Sequence, residues 1–338
     1  MTRRQSLGPL DPIFNERVKY GAIKVGNSPP PIGNPSVTIN KAAGQADPAT
    51  GGPVLFDVVF SEAVTGFATG SVNLSASTTV GTLVGTVTGA GAVYSVSVAG
   101  QIGRGNIVAA IDAGVCVAVS SGLPNQASTS TDNSVAWIGV LLVFDSFNRA
   151  DNPSVVGNAD TGQTWAAPST GFGGTWGVIG NRAYQSVNAG GGDWSTAMLI
   201  NSGVVVSEIS LDITTAQAGL VVGGGLVFRQ LDSANLFILI FNRTSGGATN
   251  WYLQREAGGS FNVLASGAGP ASLTGSIRVV DDTSTITVLI DGVVSGSGSS
   301  PTYNTQTKQG IFVIASAFFG ANDATQWRFD NYELRVPA

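Results

Sequence analysis

An all-β chain, two sandwiches behind a short basic arm, is what this sequence predicts, on three observations. Val, Thr, Ser, Gly and Ala dominate it; polar and apolar residues alternate over many short stretches; and Gly-rich turns separate those stretches. β-Branched side chains pack well on a pleated sheet, and Gly accepts the positive φ that tight turns need. Gly occurs 46 times and charged residues make up only 11%, with no Leu-, Glu- or Lys-rich stretch at helical spacing. A hydrophobic content of 43%, with runs such as Leu236-Phe237-Ile238-Leu239-Ile240-Phe241 that must be buried, excludes disorder. At 338 residues the chain is long enough for two or three domains.

Residues 1–35 differ from everything after them. Arg3, Arg4, Arg17, Lys19 and Lys24 stand against Asp11 and Glu16, a net charge of +3, while the other 303 residues carry 11 basic and 19 acidic side chains. Pro29-Pro30-Pro31 then stiffens the chain as an extended spacer. A basic arm on an acidic body is the pattern of a tether that docks on another, acidic surface. A solvated tail without a role is the competing reading. Ile13, Phe14, Val18, Tyr20, Ile23 and Val25 favour the tether, since solvated tails seldom hold so much apolar surface. Arg3, Arg4, Phe14, Arg17, Lys19 and Tyr20 are its candidate anchoring residues.

Residues 36–138 alternate cleanly. Strands are expected at Val37–Asn40, Val54–Phe60, Val72–Ser75, Gly85–Gly89, Val93–Val98, Gly105–Ile111 and Ser134–Ile138. About seven short strands in roughly 100 residues is the signature of a β-sandwich. The lone Cys116 excludes an intrachain disulfide; between Val115 and Val117 it reads as a small buried hydrophobe in a strand, in preference to a reactive thiol. The opening Val37-Thr38-Ile39-Asn40-Lys41-Ala42-Ala43-Gly44-Gln45-Ala46-Asp47-Pro48 resembles that of the bacterial Ig-like domains repeated in large surface proteins. Val59-Phe60-Ser61-Glu62-Ala63-Val64-Thr65-Gly66-Phe67, Ala110 to Val115 and Ser128 to Val135 carry the same resemblance. It implies an immunoglobulin-like sandwich serving as a spacer or adhesive unit.

Residues 139–338 form the third zone. It opens with the strand Phe144–Phe147 and continues through Thr175–Val178, Asn181–Tyr184, Val204–Ile213, Gly225–Arg229 and Leu236–Phe241. Trp251–Arg255, Ser276–Val280 and the hairpin strand Ser284–Gly292 follow. The closing Trp327-Arg328-Phe329-Asp330-Asn331-Tyr332-Glu333-Leu334 resembles the last strand of a concanavalin A-like or laminin-G-like jelly roll. That resemblance implies that the Phe144–Phe147 strand lies beside it, because a two-sheet jelly roll brings its first and last strands together.

The absence of His removes Ser-His-Asp and Cys-His catalysis and any His-based metal site. Gly223-Gly224-Gly225 sits between strands without a following Lys-Ser or Lys-Thr, so no phosphate-cradling loop is expected. Glycoside hydrolysis is the serious enzymatic alternative, since some jelly rolls of this type are glucanases with Glu-x-Asp-x-x-Glu on one strand. The nearest match here is Glu208-Ile209-Ser210-Leu211-Asp212, with Ser210 in the central acid's place and the third acid missing. Glu208 and Asp212 on one strand face are roughly 13 Å apart, beyond even the inverting separation of about 6.5–9.5 Å. The expectation is therefore a protein that is not an enzyme.

Jelly-roll lectins hold sugars on an aromatic platform with a few polar groups, sometimes with Ca²⁺ from loop carboxylates. Trp194, Trp251 and Tyr252, with Asp193, are the candidate ligand-binding residues, and Trp194 in its Gly-rich loop is expected to be exposed. Asp145, Asp323 and Asp330 are candidate ligands for Ca²⁺, the one cofactor the resemblance admits. Trp176 and Trp327 sit in apolar strand patterns and are expected in the core. Asn242-Arg243-Thr244 fits a glycosylation sequon only formally.

The N-terminal stretch has basic residues but no apolar segment behind them, and no apolar run reaches the roughly 18–20 residues that cross a bilayer. With Ig-like and lectin-like modules and a basic arm, this implies a tailed-phage virion protein, a capsid decoration or a tail or fibre component. It would be made in the host cytoplasm and carried on the virion surface. Its expected partners are a capsid or tail protein through residues 1–35, cell-surface glycans, and further copies of itself, a trimer among the options. Neither nucleic-acid binding nor membrane insertion is expected. A secreted bacterial carbohydrate-binding adhesin is the alternative.

Overall fold

The computed structural model describes residues 33–167, 174–187, 194–215, 223–243, 248–269, 274–315 and 327–337. Every regular element among them is a strand. The expected arm lies outside the described residues, as do its anchoring residues Arg3, Arg4, Phe14, Arg17, Lys19 and Tyr20.

The first domain holds β1 (Val37–Lys41), β2 (Val54–Phe60), β3 (Val64–Thr65), β4 (Val72–Asn73) and β5 (Gly81–Ala90). It continues with β6 (Val93–Gln101), β7 (Gly105–Val108), β8 (Ala110–Ile111), β9 (Val117–Ala118) and β10 (Ser134–Trp137). One sheet runs β1-β2-β6-β5, and the short pairs β10-β7, β3-β9 and β4-β8 form the facing layer. The alternation in β2 is complete: Val54, Phe56, Val58 and Phe60 are buried while Leu55, Asp57 and Val59 face out. Phe60, Phe67 and Tyr94 close one end of this core edge to face, with centroids 5.1–5.9 Å apart. Such pairs add about 0.5–1.5 kcal/mol beyond area burial.

Two expectations need correction here. Gly105–Ile111 is two strands, because the chain changes partners at Ala109: β7 pairs with β10, and β8 with β4. Cys116 is buried but precedes β9 instead of lying within a strand; its N–H donates to Asn125 Oδ1 at 3.0 Å. Burial pushes its thiol pKa up, the opposite of an activated nucleophile. β3 and β9, two residues each, are too short to show a period in sequence.

The second domain comprises β11 (Val140–Asp145), β12 (Thr175–Ile179), β13 (Arg182–Val187), β14 (Trp194–Asn201), β15 (Glu208–Thr215), β16 (Gly223–Asp232) and β17 (Asn235–Arg243). Then come β18 (Thr249–Ala257), β19 (Ser260–Ala268), β20 (Thr274–Asp281), β21 (Thr285–Ile290), β22 (Val293–Ser299), β23 (Lys308–Ala315) and β24 (Trp327–Val336). An eight-stranded sheet runs β12-β13-β24-β15-β20-β21-β22, with β11 also on β24, and a six-stranded sheet runs β14-β23-β16-β17-β18-β19. The first strand does lie beside the last, Phe144 opposite Glu333. It spans Val140–Asp145 and not Phe144–Phe147, because Phe147 turns to φ 49° while its N–H donates to Asp145 Oδ1.

The inner faces of the two sheets share one core that includes Trp176, Trp251, Trp327, Phe228, Phe237 and Tyr332. The six-stranded sheet is apolar on its other face as well: Ala197, Leu199, Val227, Leu236, Ile238, Ile240 and Phe312 form a second buried cluster. The unbroken run Leu236–Phe241 follows from this, since a strand buried on both sides has no polar phase. Gly224 lets the sheets close, for a Cβ there would lie 2.6 Å from the fully buried Trp327 indole. Gly224→Ala is expected to cost about 1–3 kcal/mol by overpacking, read as a lower denaturation midpoint with an unchanged slope.

One lateral side of this sandwich is capped. The segment 146–167 bridges both edge strands there, Asn152 pairing with Val178 of β12 and Ala166 with Leu199 of β14. At the other side β19 and β22 are edges.

Two residues, Ile138 and Gly139, join the domains, and the junction is tied by charge. The Arg104 backbone N–H donates to Glu208 Oε2 at 2.6 Å, its Nε donates to Glu208 Oε1, and its Nη1 lies 2.7 Å from Glu333 Oε2. Arg104 Nη2 also donates to Ser210 Oγ at 2.8 Å, and Arg335 Nη1 to the Ile138 carbonyl at 3.1 Å. Ser36, by contrast, is at the opposite end of the first sandwich, where its carbonyl accepts from Ser61 N–H. The chain therefore enters the first domain at one end and leaves it at the other.

Candidate functional site

The capping segment builds the site. Asp145, fully buried at the end of β11, accepts from Phe147 N–H at 2.8 Å, from Trp165 Nε1 at 2.6 Å and from Arg149 Nη2. Burial raises the Asp145 pKa, and these hydrogen bonds and the Arg149 charge oppose it. Arg149 in turn donates to the carbonyls of Val156, at 2.8 Å, and Asn158. The result is a pinned loop whose Trp165 meets Tyr332 edge to face (4.9 Å) and Phe147 at a tilt (5.7 Å).

Two clefts flank its Thr164–Ala167 stretch and share Thr164 and Ala167 as walls. The first, about 400 Å³, is lined by Trp165, Trp176, Met198, Asn158 and Thr175, among others. The second, about 440 Å³, is lined by Leu199, Asn201, Gln230, Asp232, Ser233 and Lys308. Each wall includes a buried polar atom without a protein partner: the Trp176 Nε1 donor in the first and the Gln230 Oε1 acceptor in the second. Trp176 is 3% exposed and Gln230 4%. A buried group left unpaired costs about 1–3 kcal/mol, a cost borne here by the walls themselves. Both indoles of the first cleft are buried, so what the two clefts offer a ligand is polar: the exposed side chains of Asn158, Thr164, Asn201 and Lys308.

The residues singled out from sequence fall elsewhere. Trp251 is 1% exposed in the core, which removes it as a platform. Its parity with Leu253, also in the core, is the signal for this. Tyr252 points to the opposite face and packs, half-buried, on the second apolar cluster. Trp194 opens β14 opposite Ala315 instead of lying in a loop; its side chain, like the whole of Asp193, is outside what is described. Asp145 is spent on Trp165 and Arg149, which corrects its role as a cation ligand. Asp330 faces Arg182 at 3.8 Å and lies across from Asp212, apart from Asp145; Asp323 is outside the described residues. Among the described residues no group of three or more acidic or Cys side chains could hold a metal. Trp176 and Trp327 are in the core as expected.

Glu208 and Asp212 share the outward phase of β15, since Ile209, Leu211 and Ile213 fill the core. Glu208 is 2% exposed, covered by Arg104 of the first domain and 3.6 Å from Arg278. Asp212 instead accepts from Asn331 Nδ2 at 2.8 Å. The pair is structural in this arrangement. Sequence reasoning missed Trp165, Gln230 and Arg104. Only Trp165 left a trace, an aromatic inside a polar stretch after Gly162-Gln163-Thr164.

The fold and the site together define an all-β protein of two sandwiches, the larger a jelly roll of concanavalin type. No protein-family model and no curated protein matches the chain. Among solved structures it is similar to a carbohydrate-binding module from Bacillus subtilis, at 14% identity and TM-score 0.38, covering 51% of this chain and 95% of that one. It is also similar to a β-glucanase from Bacillus licheniformis, at 9% identity and TM-score 0.37, covering 58% and 97%. A third is a GlcNAcα1-4Gal-releasing endo-β-galactosidase from Clostridium perfringens, at 11% identity and TM-score 0.41, covering 59% and 62%. Likeness at this level leaves the ligand and activity of this chain to its own residues.

Proposed function

We propose that the chain is a non-catalytic display protein of a phage particle. In this reading residues 1–35 dock on a capsid or tail protein, and the jelly roll binds a glycan in the clefts beside Thr164–Ala167. The observation that carries the binding role is the pair of adjoining clefts, about 400 and 440 Å³, with exposed polar side chains at Asn158, Thr164, Asn201 and Lys308. Sugars offer hydroxyl donors and acceptors that such side chains can pair with. The anchoring role draws support from the course of the first domain, whose entry at Ser36 lies away from the jelly roll. The non-catalytic reading draws support from Glu208, which is committed to Arg104. Weak single-site affinity would be raised by the many copies on a particle.

A glycan array tests the binding role. Asn201→Ala and Lys308→Ala each remove one exposed polar side chain from the second cleft, and each is expected to weaken the best signal about tenfold. A blank array, or variants that bind as wild type does, rejects these clefts. Deleting residues 1–30 should leave folded domains that no longer attach to particles, and retained attachment rejects the anchor.

A further inference from the structure

The two lateral sides of the jelly roll are finished differently. On one side segment 146–167 pairs with β12 and β14. On the other, β19 and β22 run as adjacent edges, close enough that a Cβ on Gly298 would lie 2.7 Å from Leu264. Neither edge carries a charged residue over its length, Ser260–Ala268 or Val293–Ser299. Both expose apolar side chains: Phe261 is 50% exposed, Val263 49%, Val293 68% and Val294 59%. Exposed edges are ordinarily blunted by charge, by Pro or by a covering segment, because their free N–H and C=O groups pair with other chains.

We propose that this uncharged side is where a second copy of the chain packs, β19 against β19 across a two-fold axis. Three features point to a copy of itself. The chain has a net charge of −5, so two copies repel except where charge is missing, and this strip is such a place. An antiparallel strand is self-complementary about a two-fold, which closes after two subunits. Each edge also carries a β-bulge, at Leu264 in β19 and Ser295 in β22, which limits how far a sheet can be extended there and favours a closed pair over a growing one. A strip about 30 Å long and roughly 20 Å across buries on the order of 600 Å² per copy, the lower end of a stable interface. This inference is independent of the glycan reading.

The test is light scattering of the full chain over a concentration series, with single-cysteine cross-linking as a second readout. Wild type should approach twice the monomer mass of 34.3 kDa, and Phe261→Lys with Val263→Lys should return it to the monomer. Because the one native thiol, Cys116, is buried, an engineered cysteine is the only accessible one. Val263→Cys should form covalent dimers on mild oxidation, and Val119→Cys, at a 65% exposed site on the first domain, should not. A monomer at every concentration overturns the proposal. So do oligomers that survive the paired lysines, or equal cross-linking at Val119 and Val263.

Discussion

Replacing Arg229 with Ala is expected to lower the unfolding free energy by about 3–5 kcal/mol, because it leaves a carboxylate buried without its counter-charge. Arg229 and Asp281 have side chains only 4% and 6% exposed. Arg229 Nε donates to Asp281 Oδ2 at 2.6 Å and Nη2 to Oδ1, while Nη1 reaches the carbonyls of Ser300 at 2.7 Å and Thr302 at 3.1 Å. The guanidinium also lies 5.2 Å from the Phe237 ring centroid. This one side chain, on a residue held at φ 47° beside a break in the β16–β17 register, thus ties the six-stranded sheet to the eight-stranded one. Denaturant midpoints measure the loss. Arg229→Met with Asp281→Leu should recover most of it, since the cost comes from the orphaned charge and less from the missing pair. If the double variant is no more stable than Arg229→Ala, the ion pair itself supplies the stability.

The second large loss is expected at Trp251. Trp251→Ala should cost about 3–5 kcal/mol, as a fully buried indole is replaced by a cavity that the surrounding sheet cannot close. The walls around it are already shaved back. A Cβ on Gly267 would lie 2.8 Å from Trp251 Nε1, and one on Gly296 would lie 2.8 Å from its ring. Both glycines belong to edge strands, β19 and β22, so the indole holds together that side of the jelly roll. A loss of unfolding free energy under a third of that size would show that the edges collapse onto the space.

Much of the fold was legible because period-two alternation is a local property. Val54 to Phe60 reads as a half-buried strand without any partner in view, and it is one. The doubly apolar run Leu236–Phe241 announced its burial but not the reason, which is the second cluster behind the sheet. The site was far less legible. Trp251 and Tyr252 are adjacent in sequence and were read together, yet a strand sends neighbours to opposite faces. Asp145 looked available because its three donors come from residues 147, 149 and 165, and only the folded loop converges them. Nothing near Arg104 in sequence marks Glu208 as its partner, since the pair spans 104 residues. Gln230 is visible only as an unpaired atom once the strands are packed.

The Arg104 cluster also bears on how freely the two sandwiches can turn about their short connector. A two-residue connector alone would be a swivel, letting the second body sweep a cone and dissipate any pull as rotation. Arg104 and Arg335 span the joint with ion pairs and hydrogen bonds, so turning it requires those contacts to break.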